Sequence, residues 1–484
     1  MKLIEKEIEQ CMHQFILPFS LKKESIDETV SSLHNQGYKY FKLKDLRKET
    51  KYYGDSHVSH GDLVHYFPPF TNRILFPNSL DQTGFHRFSK SMNVSGRLLT
   101  ELVNIPFQIH SLDVTLCPFE LGFLTIRLEM ISDSKITFSE SIEFASRFRV
   151  LQPQSSSDVY VMVHFQDKSY NQVADFIFES LFPHLSEVIP FKETTYCNEF
   201  YPLLGTDRMF VQSFFQFDSN VNLEHVDVFR AGKLDGLDEN GFPYVSANNA
   251  SYMNRHLREN AFKRWAPKTY YLFEKQGFTC VSKDNKEITD KLKGQFYGEY
   301  YYGLLLNLFH KMVLLKIEND YSIIHIEQDV DDIEELIHRI HSFTANYYFV
   351  PLTNHSQGED VFKEVRRKFM VETLYEDAQK TLINLYKYQE KTSSKNNNFL
   401  LVTLTLYTVI GGIFGMNLVI YDLKGDINWE KMWTYSVFEY IALIVTISGI
   451  IVSAILLTQN GLKWLNDKKK RRKWMTKTES TKKA

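Results

Sequence analysis

Residues 399–421 read FLLVTLTLYTVIGGIFGMNLVIY and contain no charged side chain. A second apolar stretch, residues 435–457, reads YSVFEYIALIVTISGIIVSAILL, and its one charged residue is Glu439. A helix needs roughly 20 consecutive apolar residues to cross the hydrocarbon core of a bilayer. The sequence therefore predicts a transmembrane hairpin over residues 399–458, with the two helices joined by a short outer loop at residues 422–434.

Charges around the two stretches predict how this hairpin is oriented. Lys387, Lys391 and Lys395 precede the first stretch, and a strongly basic tail, residues 459–484, follows the second. Because basic residues favour the cytoplasmic side, we expect a multi-pass protein of the cell membrane with both termini in the cytoplasm. The tail could also be a nuclear localisation signal or a nucleic-acid arm, but its place beside an apolar stretch favours contact with the lipid bilayer and argues against a nucleic-acid partner.

The chain before the apolar stretches has the pattern of a mixed α/β protein. In residues 124–130 and 159–165 apolar and other side chains alternate, which is typical of strands with one face on a core. We therefore predict a cytosolic α/β domain at residues 1–290. The four cysteines of the chain form no C-x-x-C pair, so neither a disulfide framework nor a thiolate zinc site is expected.

Residues 291–398 change to a helical pattern. Residues 303–317 are apolar but too short to span a membrane comfortably, which predicts a buried helix. Residues 359–390 contain neither proline nor glycine and keep apolar residues at helical spacing. This pattern predicts one long stalk helix that runs on toward the first apolar stretch.

The first apolar stretch ends in a short motif, Gly415, Met416 and Asn417, with Thr408 nine residues before the asparagine. Together with the order of parts, this motif resembles the CorA family of magnesium channels. The resemblance implies a funnel-like homopentamer in which the first transmembrane helix lines the pore. Leu406 and Leu418 stand where many members of the family carry a proline and an aromatic residue. Zinc exporters share the architecture, so Co²⁺, Ni²⁺ and Zn²⁺ stay open beside Mg²⁺ as transported ions.

The chemistry of these residues suits a hydrated ion. Mg²⁺ binds oxygen and dehydrates reluctantly, so a ring of Asn417 amides could accept hydrogen bonds from its water shell. Thr405 and Thr408, three residues apart, could share that inner face. The alternative is a packing face of small residues, because Gly411 and Gly415 form a G-x-x-x-G pattern.

Two acidic groups are further candidates for cation binding. Asp422, Asp426 and Glu430 lie in the outer loop and could concentrate cations at the pore mouth. Asp329, Asp331 and Asp332 belong to an acidic cluster, residues 327–335, that could bind regulatory Mg²⁺ between subunits. A solvated helix face is the simpler interpretation of that cluster.

The sequence thus predicts channel-type transport of divalent metal cations, with magnesium first. The alternative is a membrane-anchored sensor or binding protein whose cytosolic domain recognises a ligand. An enzyme is not expected, because the chain has no Walker loop, no G-x-G-x-x-G and no G-x-S-x-G.

Overall fold

The computed structural model describes residues 3–21, 26–131, 135–153, 160–183, 185, 208–263, 268–324, 330–348, 352–353, 355–421, 433–441, 443–445, 447–449, 451–452 and 455. Within several of the described helices the side chains of some residues are not described. The chain divides into two compact units, Met1–Thr381 and Leu382–Ala484.

The first unit is built on an 11-stranded sheet. Its strands lie in the order β11-β12-β13-β10-β2-β6-β5-β4-β8-β9, with β3 paired to β4, and β10 and β13 are parallel. The short strands β1 and β7 form a separate antiparallel pair. The strands are β1 Glu7–Ile8, β2 Gln10–Ser20, β3 Lys39–Tyr40, β4 His86–Leu99, β5 Asn104–Cys117, β6 Leu121–Met130, β7 Ile136–Thr137, β8 Met162–Phe165, β9 Lys168–Tyr170, β10 Phe210–Gln216, β11 Ala261–Phe262, β12 Thr269–Glu274 and β13 Gly277–Ser282.

Helices lie between the strands in the chain and after the last of them. They are α1 Ile26–Asn35, α2 His60–Tyr66, α3 Pro69–Leu75, α4 Phe138–Phe148, α5 Val173–Asp175 (which continues as a π-helix over Phe176–Leu181), α6 His225–Lys233, α7 Ala250–Asn260, α8 Lys286–Tyr297, α9 Glu299–Ile323, α10 Val330–Asn346, α11 Ser356–Lys368 and α12 Val371–Tyr421. A capping box at Thr137 and Glu140 fixes the start of α4.

The two predicted strands and the predicted buried helix are found. Residues 124–130 belong to β6, residues 162–165 form β8, and residues 303–317 lie inside the buried helix α9. The burial of β6 differs from the prediction, since nearly all of its side chains are buried, on both faces. One face contacts the aromatic core that includes Phe144 of α4, and on the other face Thr125 hydrogen-bonds Tyr301 of α9. Alternation therefore identified the strand but not the second buried face.

The long stalk helix predicted over residues 359–390 is wrong as one element. Helix α11 ends at Lys368, and Met370 takes a positive φ of 56° before α12 begins at Val371. Neither proline nor glycine causes this break, so tertiary contacts must impose it.

The predicted transmembrane hairpin is also wrong. Among the described residues, no helix is both long enough and apolar enough to cross a membrane. Residues 399–421 are instead the end of α12, whose first half is charged. The fold class is therefore corrected to a mixed α/β protein with one long helix, and the two-helix transmembrane hairpin is not seen among the described residues.

Candidate functional site

Thr405 and Thr408 lie on α12 with exposed side chains. The Thr405 hydroxyl donates to the Leu401 carbonyl at 2.7 Å, and the Thr408 hydroxyl donates to the Leu404 carbonyl at the same distance. Each hydroxyl oxygen keeps a lone pair that could accept a hydrogen bond from a water molecule. The two threonines are therefore able to contact the water shell of an ion.

Gly415, Met416 and Asn417 lie in the last turns of the same helix, which ends at Tyr421. Their side chains lie outside the described residues, as do the predicted outer-mouth acids Asp422, Asp426 and Glu430. The structure thus places the motif on a helix that starts in the first unit.

The predicted acidic cluster is described only in part. Asp329 and the side chain of Asp331 lie outside the described residues, whereas Asp332 is exposed on α10. Asp332 and Glu335 line an open cavity of about 230 Å³ together with Asp320 and Arg339.

An arginine balances part of the negative charge in this cavity. Arg339 donates to Asp320 at 2.8 Å and to Glu120 at 3.4 Å. Over the part of the chain that the structure describes, no group of three or more histidine, cysteine or acidic residues is arranged to hold a metal ion. The described part of the cavity is therefore an arginine that pairs with Asp320, with the carboxylates of Asp332 and Glu335 nearby.

Glu439 has a local role in the described residues. Its carboxylate accepts from the Ser436 backbone N–H at 2.6 Å, and its own N–H donates to the Ser436 hydroxyl at 3.4 Å. This reciprocal pair is a capping box at the start of the helix that begins at residue 437. The S-x-x-E spacing before an apolar run was the sequence signal for it.

The second unit also contains a close approach between two helical segments. A Cβ added to Gly449 would lie 3.0 Å from Cδ1 of Tyr407 on α12. A side chain at this position would require the Tyr407 ring to move by a few tenths of an ångström, so the packing favours glycine here.

The strongest polar arrangement in the first unit was not anticipated from the sequence. Asp113 of β5 lies between two arginines, with Arg87 Nε at 2.8 Å and Arg127 Nη1 at 2.5 Å from its Oδ2. All three side chains are at most 3% exposed. Arg127 also donates to Gln14 of β2 at 2.8 Å, and its guanidinium carbon lies 4.7 Å from the centre of the Tyr301 ring. We call Arg87, Asp113 and Arg127 the buried ion triad.

The triad keeps its charges. Burial alone would raise the pKa of Asp113, but the guanidinium groups of Arg127 and Arg87 lower it below its ordinary value. Burial likewise opposes the charge on Arg87, and the nearby carboxylate of Asp113 raises its pKa well above the usual range. Because Arg127 lies against Tyr301 and Arg87 donates to the Tyr302 hydroxyl, the triad joins the sheet to α9, and we assign it a structural role.

A second buried arrangement has the distances of a nucleophile–base pair, with a cysteine, a histidine and a serine within hydrogen-bond reach. Its chemistry does not match those distances. Cys11 Sγ lies 3.0 Å from His13 Nε2, and His13 Nδ1 lies 2.8 Å from Ser213 Oγ. Burial raises the pKa of the Cys11 thiol well above its usual range and lowers the pKa of His13 to about 3. A protonated thiol beside a weakly basic imidazole, both without access to solvent, does not supply a nucleophile.

Comparison with known proteins adds no identity, since no protein-family model and no curated protein matches the chain.

Proposed function

We propose that copies of this chain associate through α12 and transport divalent cations across a membrane, magnesium first. The observation that carries the proposal is the continuity of α12, one helix from Val371 to Tyr421. This helix links the α/β unit to the exposed threonines and to the Gly-Met-Asn motif without a break.

Exposed apolar side chains on α12 support the association. Phe399 is 72% exposed and Val402 is 67% exposed, and four further apolar residues of the same segment are more than half exposed. These four are Leu401, Leu404, Leu406 and Val409. An apolar surface of this extent marks contact with another protein or with lipid. Neighbouring copies of α12 and acyl chains would bury it.

Oxygen chemistry supports the choice of ion. Hydrated Mg²⁺ is recognised by acceptors that orient its water shell, and amide and hydroxyl oxygens do this without binding the ion too tightly to release it. Asn417, Thr405 and Thr408 supply such oxygens on one helix. Asn417 is the residue on which selectivity should depend.

Flux into liposomes tests the proposal directly. Full-length protein is reconstituted, flotation with the vesicles is verified, and uptake of Mg²⁺, Co²⁺, Ni²⁺ and Zn²⁺ is measured. Asn417→Ala should abolish Mg²⁺ uptake, whereas Asn417→Asp should change the order of preference among the four ions. Asn346→Ala, an exposed asparagine on α10, is the matched control and should transport like the parent. Vesicles that take up no divalent ion with the parent protein, or equal uptake by Asn417→Ala, would reject the proposal.

The acidic cavity favours a second candidate, a divalent-cation sensor. Two exposed carboxylates, Asp332 and Glu335, line an open space of about 230 Å³ that could admit a hydrated ion. Titration calorimetry with Mg²⁺ on the parent and on Asp332→Asn with Glu335→Gln separates the two candidates. Binding that depends on these carboxylates, in a protein that passes no ions, would favour the sensor.

A further inference from the structure

The break between α11 and α12 lacks a local cause in the sequence. Residues 366–374 read RRKFMVETL, which contains neither glycine nor proline and would continue an α-helix. Met370 nevertheless has a φ of 56°, a left-handed conformation that only glycine and a few short polar residues adopt readily. Its N–H bonds to the Arg367 carbonyl, three residues back, where a continuous helix would bond to Arg366.

The Met370 side chain does not hold the break, because it is 52% exposed. The residues on either side of it do, since Phe369 and Val371 are buried. The Phe369 ring lies edge-on to Phe210 of β10, with 5.6 Å between the ring centres. The bent chain is therefore anchored to the sheet through Phe369.

A lysine lies over both rings of this aromatic contact. Lys311 of α9 places its ammonium 5.2 Å from the centre of the Phe369 ring and 5.5 Å from that of Phe210. A cation over two aromatic faces is attracted to both, and the attraction strengthens away from water. Burial, followed by the charge of Lys275, lowers the pKa of Lys311 to about 8, so most of the ammonium is charged at neutral pH.

A second aromatic contact supports the same corner. The Arg366 guanidinium carbon lies 4.5 Å from the centre of the Tyr348 ring, and Tyr348 stacks on Tyr375 of α12 at 3.7 Å. Tyr348 therefore contacts a residue before the break, Arg366, and a residue after it, Tyr375. A straight helix would change the distance between these two residues and so disturb one of the contacts.

We propose that residues 356–381 form a two-state joint, bent while Lys311 and Phe210 hold Phe369 and straight once Phe369 leaves that contact. Local helix propensity favours the straight form, and tertiary contacts favour the bent form. Strain that is maintained by surrounding contacts is characteristic of elements that switch. The joint lies wholly within the first unit, and the inference does not depend on the proposed transport.

Spin-label distances across the joint test this. Cysteines are introduced as Lys363→Cys and Lys380→Cys in the full chain, at exposed positions on α11 and α12. Cys11, Cys117 and Cys280 are buried and should not be labelled, and Cys197 is replaced by serine. A straight helix would place the two backbone positions about 26 Å apart, and any bend shortens that distance. The parent should give one narrow population at the shorter distance.

Variants at the contact should populate the straight form. Lys311→Met keeps the apolar stem without the charge, and Phe369→Leu keeps an apolar residue without the ring. Both should add a population near 26 Å. Lys286→Met, at an exposed lysine of α8, is the control and should leave the parent distribution unchanged.

Two substitutions at Met370 test the proposal even if the variants at the buried residues Lys311 and Phe369 do not fold. Because the Met370 side chain is exposed, neither Met370→Ala nor Met370→Gly removes core packing. Alanine favours a continuous helix and glycine favours positive φ, so the straight fraction should be at least about fivefold larger in Met370→Ala. A distribution that stays at the parent distance in Lys311→Met, Phe369→Leu and Met370→Ala would overturn the joint.

Discussion

The two units of this chain treat their apolar and polar side chains in opposite ways. The first unit, Met1–Thr381, buries many of its aromatic residues and even a complete ion triad. The second unit, Leu382–Ala484, leaves Phe399 and Val402 largely exposed, and the hydroxyls of Thr405 and Thr408 bond to their own helix. The first unit thus pairs its buried charges internally at the ion triad. The second presents a surface that requires an apolar partner.

Removing the one carboxylate of the buried ion triad should produce the largest effect. Asp113→Asn leaves two buried guanidinium groups without a counter-charge, and breaking a buried pair in this way costs about 3–5 kcal/mol in the free energy of unfolding. Urea unfolding followed by circular dichroism measures the loss. It should occur without a change in the association of α12.

Two variants sharpen the interpretation. Asp377→Asn removes an exposed carboxylate that pairs with Lys380, and we expect no measurable change. The triple variant Arg87→Met, Asp113→Leu and Arg127→Met should lose much less stability than Asp113→Asn, because it leaves no unpaired charge. If Asp113→Asn unfolds at the parent urea concentration, the triad does not hold the sheet to α9.

Glycines in the two units should respond differently to an added methyl group. A Cβ at Gly303 would lie 1.6 Å from Cε1 of Phe362, so Gly303→Ala should cost about 1–3 kcal/mol in the free energy of unfolding. A Cβ at Gly411 meets no atom of the described residues within 4 Å, so Gly411→Ala should stabilise a single chain by up to about 1 kcal/mol.

The same pair of variants tests the association of α12. If copies pack through the Gly411 face, Gly411→Ala should shift the detergent-solubilised protein toward smaller species in mass photometry, although its unfolding is unimpaired. Gly303→Ala should leave the species distribution unchanged. If Gly411→Ala leaves the species distribution unchanged, the copies do not pack through the Gly411 face of α12.

Sequence patterns predicted elements better than the contacts between them. Alternation identified β6, and an apolar run interrupted by His310 and Lys311 identified the buried helix α9. The same alternation did not reveal that Arg127 is buried, because its burial comes from the packing of α9 on the second face of the sheet. The break at Met370 had no local signal at all, since Phe210 and Lys311 are distant in sequence.

The candidate site shows the same limit. The Gly-Met-Asn motif could be located on one helix from its sequence alone, whereas the transmembrane hairpin was inferred from two apolar stretches and is not found among the described residues. An apolar stretch taken by itself does not reveal that α12 begins as a charged helix of the first unit. The capping box of Ser436 and Glu439 was readable from its spacing and was missed.

The smallest expected effect is a response to mild acid, just below pH 6.5, that is confined to the first unit. His310 is buried, its Nε2 lies 2.9 Å from the Tyr347 carbonyl oxygen, and burial together with the charge of Arg366 lowers its pKa from 6.5 to about 3. Between these values the unfolded chain binds a proton that the folded chain does not, so the free energy of unfolding falls as pH falls, by up to about 1.4 kcal/mol per pH unit. His310→Gln keeps a donor for the carbonyl and should reduce that slope, whereas His57→Gln, at an exposed histidine, should not. The second unit contains no histidine. The protection factors of the α9 amides, corrected for the intrinsic exchange rate at each pH, should therefore fall below pH 6.5 while those of residues 399–412 stay constant. A parallel fall in both would show that the two units do not respond independently.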